Sequence, residues 1–214
     1  METQTGRISE EVFRLWLTRS KTTKDLFRWQ VTPEDAFMMM KAAYEREVEV
    51  RGMDCRITEE IAGYLSQVAG MMTSKSSKCG ILLCGNCGNG KTTTMNAFLS
   101  VSKYLNTQHL LIESTTARRI SQIAKSEDLM NQAKRAAVLC IDDIGLEPTE
   151  VLDYGNAINP VIEIIEHRYR QQLFTFITTN LTPQQIREKY GDRVADRFNE
   201  IMRCIVYKNS TFRR

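Results

Sequence analysis

The sequence predicts an α/β fold in which helices flank a five-stranded parallel sheet, with an all-helical segment before this core. Short apolar runs alternate with helix-like segments after residue 79, a pattern typical of parallel strands that are covered on both faces. No strand pattern occurs before residue 79, and the polar stretch 73–78 separates the two parts. We therefore expect a helical segment over residues 1–78 and an α/β core over residues 79–214, with no helical lid after the last strand.

Composition and charge restrict the possible classes of protein. The chain has 214 residues, of which 42% are apolar, and its formal net charge is +3. No apolar run approaches the roughly 20 residues that a membrane span needs, and the first residues show no signal-peptide pattern. We therefore expect a cytoplasmic protein with no membrane partner. The mild positive charge neither requires nor excludes a nucleic-acid partner.

The helical segment contains four helix signals. Ser9 can cap a first helix, and a short second helix is expected over residues 22–29. Thr32 is followed by a proline and two acidic residues, a strong start for a third helix that runs to about Arg51. Thr58 precedes two acidic residues and an apolar stripe at helical spacing, which predicts a fourth helix.

The core begins with a predicted strand, a glycine-rich loop and a helix. Residues 80–84 form a short apolar run, and residues 92–105 show apolar side chains at helical spacing. Between them, residues 85–92 read GNCGNGKT and fit the pattern G-x-x-x-x-G-K-[ST] of the phosphate-binding loop, or P-loop. Glycines let successive backbone N–H groups point at phosphate oxygens, and the helix N-terminus adds its positive dipole end.

This P-loop predicts ATP and Mg²⁺ as cofactors. Lys91 is expected to reach the β- and γ-phosphates, and the Thr92 hydroxyl is expected to bind Mg²⁺. A chance glycine-rich turn would lack the strand before it and the helix after it. The residues that we expect to contact ATP are Gly85, Asn86, Cys87, Gly88, Asn89, Gly90, Lys91, Thr92 and Thr93.

Four more strands and four more helices complete the predicted core. The strands are expected at residues 110–113, 137–141, 174–178 and 204–207, and the helices at residues 116–134, 160–171, 183–190 and 193–202. Asn159 before a proline and the sequence TPQQ at residues 182–185 are clear helix starts.

Two acidic residues follow the strand expected at residues 137–141. Asp142 is our candidate Mg²⁺ ligand, because a carboxylate at the carboxyl end of a strand beside the P-loop strand can reach the metal. Asp143 can act as a catalytic residue that orients the attacking water. The simpler interpretation is that the two acids open the turn at Gly145. The position of the pair about 50 residues after the P-loop favours the metal site.

Two further groups of side chains are candidates for the same site. Asn180 follows the strand expected at residues 174–178 and can reach the γ-phosphate or its attacking water, although it can also cap the next helix. Arg193 and Arg197 lie four residues apart and share one face of a helix. Such an arginine pair is usually solvated or paired with nearby acids, so the spacing alone assigns it no function.

In order and spacing, these motifs resemble those of the DnaC/IstB group of AAA+ ATPases. The matching segments are 85–92, 139–145, 177–181 and 191–197, and the resemblance covers residues 80–214. It implies a P-loop NTPase fold of the AAA+ type in which Asn180 is the sensor 1 residue. It also implies that Arg197, or alternatively Arg193, reaches the ATP of a neighbouring subunit as an arginine finger. Hydrolysis would then depend on self-assembly into an ATP-bridged oligomer.

The chain departs from the family pattern in three places. Asp143 stands where many AAA+ proteins carry glutamate, so we expect slow ATP hydrolysis. Residues 209–213 match the usual G-x-S-x-R ending of the group only loosely. Residues 1–79 match no motif that we can name, and for them the resemblance implies only that they dock a partner protein.

The resemblance implies a DNA-replication protein, a DnaC-like helicase loader that binds single-stranded DNA and a replicative helicase. Contacts with DNA phosphates are expected from Ser114, Thr115, Arg118 and Arg119, although a solvated helical turn explains these residues equally well. The alternative is an IstB-like transposition helper ATPase, a nucleotide-gated DNA-binding adaptor for a transposase. A small-molecule kinase would share the P-loop, but it would need a closing lid that the sequence does not indicate.

Overall fold

The computed structural model describes residues 9–20, 25–148, 151–153 and 156–212. The helices in these ranges are α1 (Glu10–Ser20), α2 (Pro33–Glu49), α3 (Glu59–Thr73), α4 (Lys91–Tyr104), α5 (Ala117–Ile123), α6 (Glu127–Arg135), α7 (Pro160–Gln171), α8 (Pro183–Tyr190) and α9 (Asp192–Ile201). The strands are β1 (Gly80–Gly85), β2 (Ile112–Thr116), β3 (Val138–Ile144), β4 (Val151–Asp153), β5 (Asn156–Ile158), β6 (Phe174–Thr179) and β7 (Met202–Tyr207). Among the helices described, none has the length and apolar character to cross a membrane.

Five strands form a parallel sheet in the order β2-β3-β6-β1-β7. This sheet, with helices on both faces, confirms the predicted α/β fold. Strand β6 lies between the P-loop strand β1 and the acidic strand β3, so that Ile177 is paired with both Leu82 and Ile141. The expectation that the strand of Asp142 lies beside the P-loop strand is therefore wrong, because β6 separates the two.

Alternate residues of the central strands point into two different apolar clusters. From β1, Ile81 and Leu83 belong to one cluster, whereas Leu82 and Cys84 belong to the other. Helices α2, α3 and α4 cover the first face, and helices α5 to α9 cover the second. Because both faces are buried, the central strands are rich in apolar residues, which made them recognisable in the sequence.

Most predicted elements of the core are found within a few residues of their expected bounds. Strand β2 begins two residues later than expected, and strand β7 begins two residues earlier. The single helix predicted over residues 116–134 is two helices, α5 and α6, and two acidic residues in the first turn of α6 favour the start of the second helix. A short antiparallel hairpin of β4 and β5 was not predicted.

The segment before α2 is not the predicted helix. Residues 25–29 are not helical, and residues 22–24 lie outside the described residues, so the helix expected over 22–29 is wrong where the two can be compared. The Trp29 backbone N–H donates to the Met72 carbonyl at 2.9 Å, and the Trp29 side chain is buried. Tertiary contacts with α3 and the core therefore override the local helix propensity of this segment.

Helices α2 and α3 share a hydrophobic core with the sheet. Met40 of α2 and Leu65 of α3 lie in the same apolar cluster as Phe98 of α4 and Phe176 of β6. The chain therefore changes from helices alone to alternating strands and helices after residue 78, but residues on both sides pack in the same apolar cluster. The division of the chain into two domains at that residue stays a prediction.

Candidate nucleotide-binding site

The P-loop connects β1 to α4 and needs glycine at two positions. Gly85 has a φ of 150°, and a Cβ atom there would lie 2.6 Å from the Tyr207 carbonyl oxygen. Gly90 has a φ of 98°, and a Cβ atom there would lie 2.7 Å from the Tyr44 hydroxyl. Both the backbone angle and the lack of space exclude larger side chains. The loop can therefore keep its curved shape, with its backbone at the N-terminus of α4.

Lys91 is the centre of the candidate site. Its side chain is buried, and its Nζ donates to the carbonyl oxygens of Gly85 at 2.8 Å and Asn86 at 2.7 Å. The same Nζ donates to Asn89 Oδ1 at 3.1 Å and to Asn180 Oδ1 at 2.9 Å. The structure thus brings Asn180, which follows β6, into direct contact with the P-loop lysine.

Asp142 is held beside the P-loop by two threonines. Thr92 Oγ1 donates to Asp142 Oδ1 at 3.0 Å, and Thr178 Oγ1 donates to the same oxygen at 2.5 Å. Thr178 Oγ1 also accepts the backbone N–H of Asp143 at 2.9 Å. Thr178 lies on β6, so the inserted strand supplies the link between the acidic pair and the P-loop. Thr178 was not among the predicted site residues, although its place at the end of an apolar strand was an available signal.

The Thr92 hydroxyl and the Asp142 carboxylate fit the needs of Mg²⁺. Both are hard oxygen ligands, and they lie 3.0 Å apart. Neighbouring ligands in an octahedral Mg²⁺ site are separated by about 3 Å, since each lies about 2.1 Å from the metal. Within the described residues, no group of three or more histidine, cysteine, aspartate or glutamate side chains could hold a metal ion. This pair suits a metal that shares its remaining positions with phosphates and water.

The end of β3 is irregular at the acidic pair. Asp143 has a φ of 54°, which places a residue other than glycine in the left-handed region. The pairing of β3 with β6 shifts between Ile141 and Ile144, so both acids lie in a β-bulge. Such bulges redirect side chains at functional sites, and aspartate tolerates this conformation better than most residues.

Burial and charge act in opposite directions on Lys91. Desolvation by burial lowers the pKa of the Lys91 ammonium group, and the nearby Asp143 and Asp142 carboxylates oppose this shift in the pKa. A buried lysine with a lowered pKa gains stabilisation from an incoming anion. A phosphate group bound next to Lys91 would therefore stabilise the charged form of the ammonium group.

Both candidate finger arginines pair with Glu166 of α7 in their own chain. Arg197 Nη1 lies 2.6 Å from Glu166 Oε1, and the Arg197 guanidinium lies over the Tyr169 ring at 4.8 Å from its centroid. The Arg197 side chain is only 11% exposed. Arg193 Nε lies 3.4 Å from the same Glu166 oxygen, but the Arg193 side chain is 73% exposed. A role of either arginine in a neighbouring subunit stays a prediction.

The four candidate DNA contacts lie at an edge of the sheet. Ser114 and Thr115 belong to the edge strand β2, and Arg118 and Arg119 belong to the first turn of α5. Ser114 and both arginines are exposed, and Thr115 is half-buried. Their accessibility is compatible with phosphate contacts, and their role stays a prediction.

A buried carboxylate that sequence analysis missed fastens the loop after β3. Glu147 accepts hydrogen bonds from the Tyr190 hydroxyl and, at 2.8 Å, from the Gly145 backbone N–H. Lys189 Nζ donates to the Gly145 and Glu147 carbonyls at 2.9 and 2.7 Å. Burial and the bond to Glu147 raise the pKa of Tyr190, which therefore stays protonated and donates. These contacts tie the loop that follows the acidic pair to α8.

The segment after β7 also contacts the P-loop. Asn209 is buried, and its Nδ2 donates to the Asn89 carbonyl at 3.0 Å. The Phe212 backbone N–H donates to the Gly88 carbonyl at 2.9 Å. These two bonds hold the outer side of the P-loop backbone. In the sequence, residues 209–213 show only a loose match to a family ending, so these contacts were not predicted.

The sheet order and the glycine-rich turn between β1 and α4 define a P-loop fold of the α/β class. No protein-family model and no curated protein matches the sequence. Solved structures do match. The crystal structure of the DnaC helicase loader has 20% identity and a TM-score of 0.58, over 72% of this chain and 93% of that one. The DnaI crystal structure has 17% identity and a TM-score of 0.53, over 84% and 95% of the two chains.

A replication initiator provides a third similar structure. DnaA bound to AMPPCP and single-stranded DNA has 15% identity and a TM-score of 0.58, over 79% of this chain. The match spans 50% of that DnaA chain, so this protein corresponds to about half of it. At these identities the likeness establishes the fold. The chain has the fold of DnaC-type AAA+ ATPases, which confirms the fold implied by the sequence motifs.

Proposed function

We propose that this protein binds and slowly hydrolyses Mg²⁺-ATP as a cytoplasmic DNA-replication protein, a DnaC-like helicase loader. The observation that carries the proposal is the convergence of four side chains from the helix α4, the strand β3 and the end of the strand β6. Lys91 contacts Asn180, and Thr92 contacts Asp142, at the edge of the sheet where the P-loop opens. Ligands bind at this carboxyl edge in open α/β sheets.

The site residues have distinct proposed roles. Lys91 would neutralise the β- and γ-phosphates, and Thr92 with Asp142 would hold Mg²⁺, which supplies charge neutralisation on the same phosphates. Asn180 and Asp143 would orient the attacking water. Arg197, or else Arg193, would complete the pocket of a neighbouring subunit in an ATP-bridged assembly.

The similar structures support the proposed partners. One of them is described as a helicase loader, and another is bound to AMPPCP and single-stranded DNA. We therefore propose single-stranded DNA and a replicative helicase as partners. Ser114, Thr115, Arg118 and Arg119 would contact DNA phosphates. In the helical segment, α1 exposes apolar side chains that a partner protein could cover, namely Val12, Phe13, Leu15 and Trp16.

Nucleotide and DNA binding can be tested together. The wild-type chain is expected to bind ATP and, when loaded with ATP, to retain single-stranded DNA on a filter in a salt-sensitive manner. Lys91→Ala is expected to lose both ATP binding and DNA binding. The double variant Arg118→Ala with Arg119→Ala is expected to lose DNA binding and to keep ATP binding. Unchanged ATP affinity in Lys91→Ala would contradict the assignment of the P-loop.

The partner can be tested with the full-length chain as bait in ATP. Capture of a replicative helicase would support the loader. A preference for duplex DNA together with capture of a transposase would instead support the IstB-like transposition helper.

A further inference from the structure

The C-terminal end of α2 lies against the first turns of the P-loop helix α4. Arg51, two residues after α2 ends, donates from Nη1 to Thr93 Oγ1 at 2.9 Å. Glu47 lies one turn earlier, with its Oε2 3.5 Å from Arg51 Nη2 and 3.2 Å from Asn96 Nδ2. The helical segment thus places a cation and a carboxylate beside α4.

The direction of α4 indicates which part of a nucleotide Arg51 faces. Lys91 and Thr92 contact Asn180 and Asp142, which mark the γ-phosphate and metal side of the site. The next residue, Thr93, is rotated by about 100° around the helix axis. Its hydroxyl contacts Arg51 and not the acidic strand. The backbone of a P-loop also holds the α-phosphate, so Thr93 marks the nucleoside side.

We propose that Arg51 binds the α-phosphate of the nucleotide, so that the helical segment contributes directly to the ATP site. This inference rests on the proposed function, because it requires the P-loop to bind a nucleotide. A guanidinium group keeps its charge and can donate two parallel hydrogen bonds to a phosphate. The Arg51 side chain is 40% exposed, so it can reach a ligand while Glu47 keeps it oriented.

Glu47 makes a positive charge at this position necessary. Its carboxylate would repel a nearby phosphate if no cation stood between them. Arg51 could therefore act by direct contact or only by neutralising Glu47. Removing both charges distinguishes these cases, because Glu47→Gln would restore affinity only if neutralisation were the whole effect.

The test measures the affinity of the full-length protein for ATP and ADP by titration calorimetry. Arg51→Met is expected to weaken both nucleotides by the same factor, about tenfold to a hundredfold, since both carry the α-phosphate. Arg51→Lys is expected to keep part of the affinity, and the double variant Arg51→Met with Glu47→Gln to remain weak. Arg46→Met is the control, because Arg46 lies on α2, as Glu47 does, and pairs with the exposed Glu49 at 3.6 Å.

Three results would overturn this inference while wild type still binds ATP. The first is that Arg51→Met binds ATP and ADP with affinities within twofold of wild type. The second is that Arg51→Met loses affinity for ATP but not for ADP. The third is that adding Glu47→Gln to Arg51→Met restores the affinity. Thermal unfolding shows whether Arg51→Met folds. If it does not, the nucleotide affinity of Arg51→Lys is compared with that of Arg46→Lys. Equal affinities of these two variants would contradict a contact between Arg51 and the α-phosphate. If the wild-type chain binds no nucleotide, or Lys91→Ala binds as well as wild type, the proposed function itself is wrong.

Discussion

Arg197 and Glu166 form a short ion pair, with 2.6 Å between Nη1 and Oε1, that joins α9 to α7. Arg193 approaches the same carboxylate oxygen at 3.4 Å. The two arginines that sequence analysis selects as candidate fingers therefore share one anionic anchor. Glu166 fixes their starting position, and any movement toward a neighbouring subunit must break these pairs.

Glu166→Gln is expected to destabilise the protein by roughly 3 kcal/mol, because it leaves the mostly buried Arg197 without its counter-charge. Urea unfolding measures this change. Glu163→Gln on the same helix is the matched control, since Glu163 pairs with Lys134 at 2.6 Å but is 52% exposed. We expect the control to cost less than about 1 kcal/mol. Equal losses in the two variants would contradict the anchoring role of Glu166.

Arg197→Ala is expected to keep ATP binding and to lose hydrolysis that depends on assembly, by a factor of about 10³ or more. The reason is that a finger acts on the phosphates of a neighbour. Mixing Arg197→Ala with Asp142→Ala should restore activity, because the second variant supplies an intact arginine to the intact pocket of the first. If no mixing ratio restores hydrolysis, the action in trans is wrong.

Thr178→Val is expected to lower Mg²⁺-dependent hydrolysis by about 10- to 100-fold with little change in ATP affinity. It removes the hydroxyl that orients Asp142 and accepts the Asp143 N–H, and such outer contacts tune metal sites by this amount. The measurement is the Mg²⁺ concentration that gives half-maximal hydrolysis, which should rise.

Thr179→Val is the matched control for Thr178→Val. The Thr179 hydroxyl donates to the Ile144 carbonyl at 2.8 Å and not to Asp142. We expect its Mg²⁺ requirement to resemble that of wild type. A similar rise in both variants would mean that the effect comes from general loosening of β6.

ATP affinity is expected to fall with rising pH at values below the usual lysine pKa of about 10.4. Burial lowers the pKa of Lys91 in the free protein, and bound phosphates would raise it. Between these two pKa values the complex holds a proton that the free protein has lost, so binding takes up a proton. Calorimetry in two buffers with different heats of ionisation measures this uptake.

Lys91→Arg separates this titration from other effects of pH. Its guanidinium keeps its proton throughout the range, so its affinity should change less with pH than that of wild type. Equal slopes for the two proteins would show that another group causes the dependence.

The sequence predicted the elements whose signals are local. The P-loop, the strands around Leu82 and Ile177 and the helix that begins at Pro160 each carry their own pattern, so their positions were found. The order of the strands is not local. Nothing in the neighbourhood of Asp142 indicates that β6 is inserted between β3 and β1, and this insertion is what brings Thr178 to the acidic pair.

The unpredicted site residues depend on contacts between distant segments. Arg51 and Thr93 are 42 positions apart in the chain, and Glu147 and Tyr190 are 43 apart. Thr93 was among the expected ATP contacts, but Arg51, Glu147 and Tyr190 each look like ordinary surface or helix residues in the sequence. The non-helical segment around Trp29 was missed for the same reason, since its conformation depends on α3 and the core.

The hydrogen bonds from Asn209 and Phe212 to the P-loop couple the segment after β7 mechanically to the loop between β1 and α4. A load applied to the segment after β7 would pass through the carbonyls of Asn89 and Gly88 to the backbone that would surround the phosphates of a bound nucleotide. A protein that grips this segment could therefore hasten or delay nucleotide release from outside, without entering the pocket.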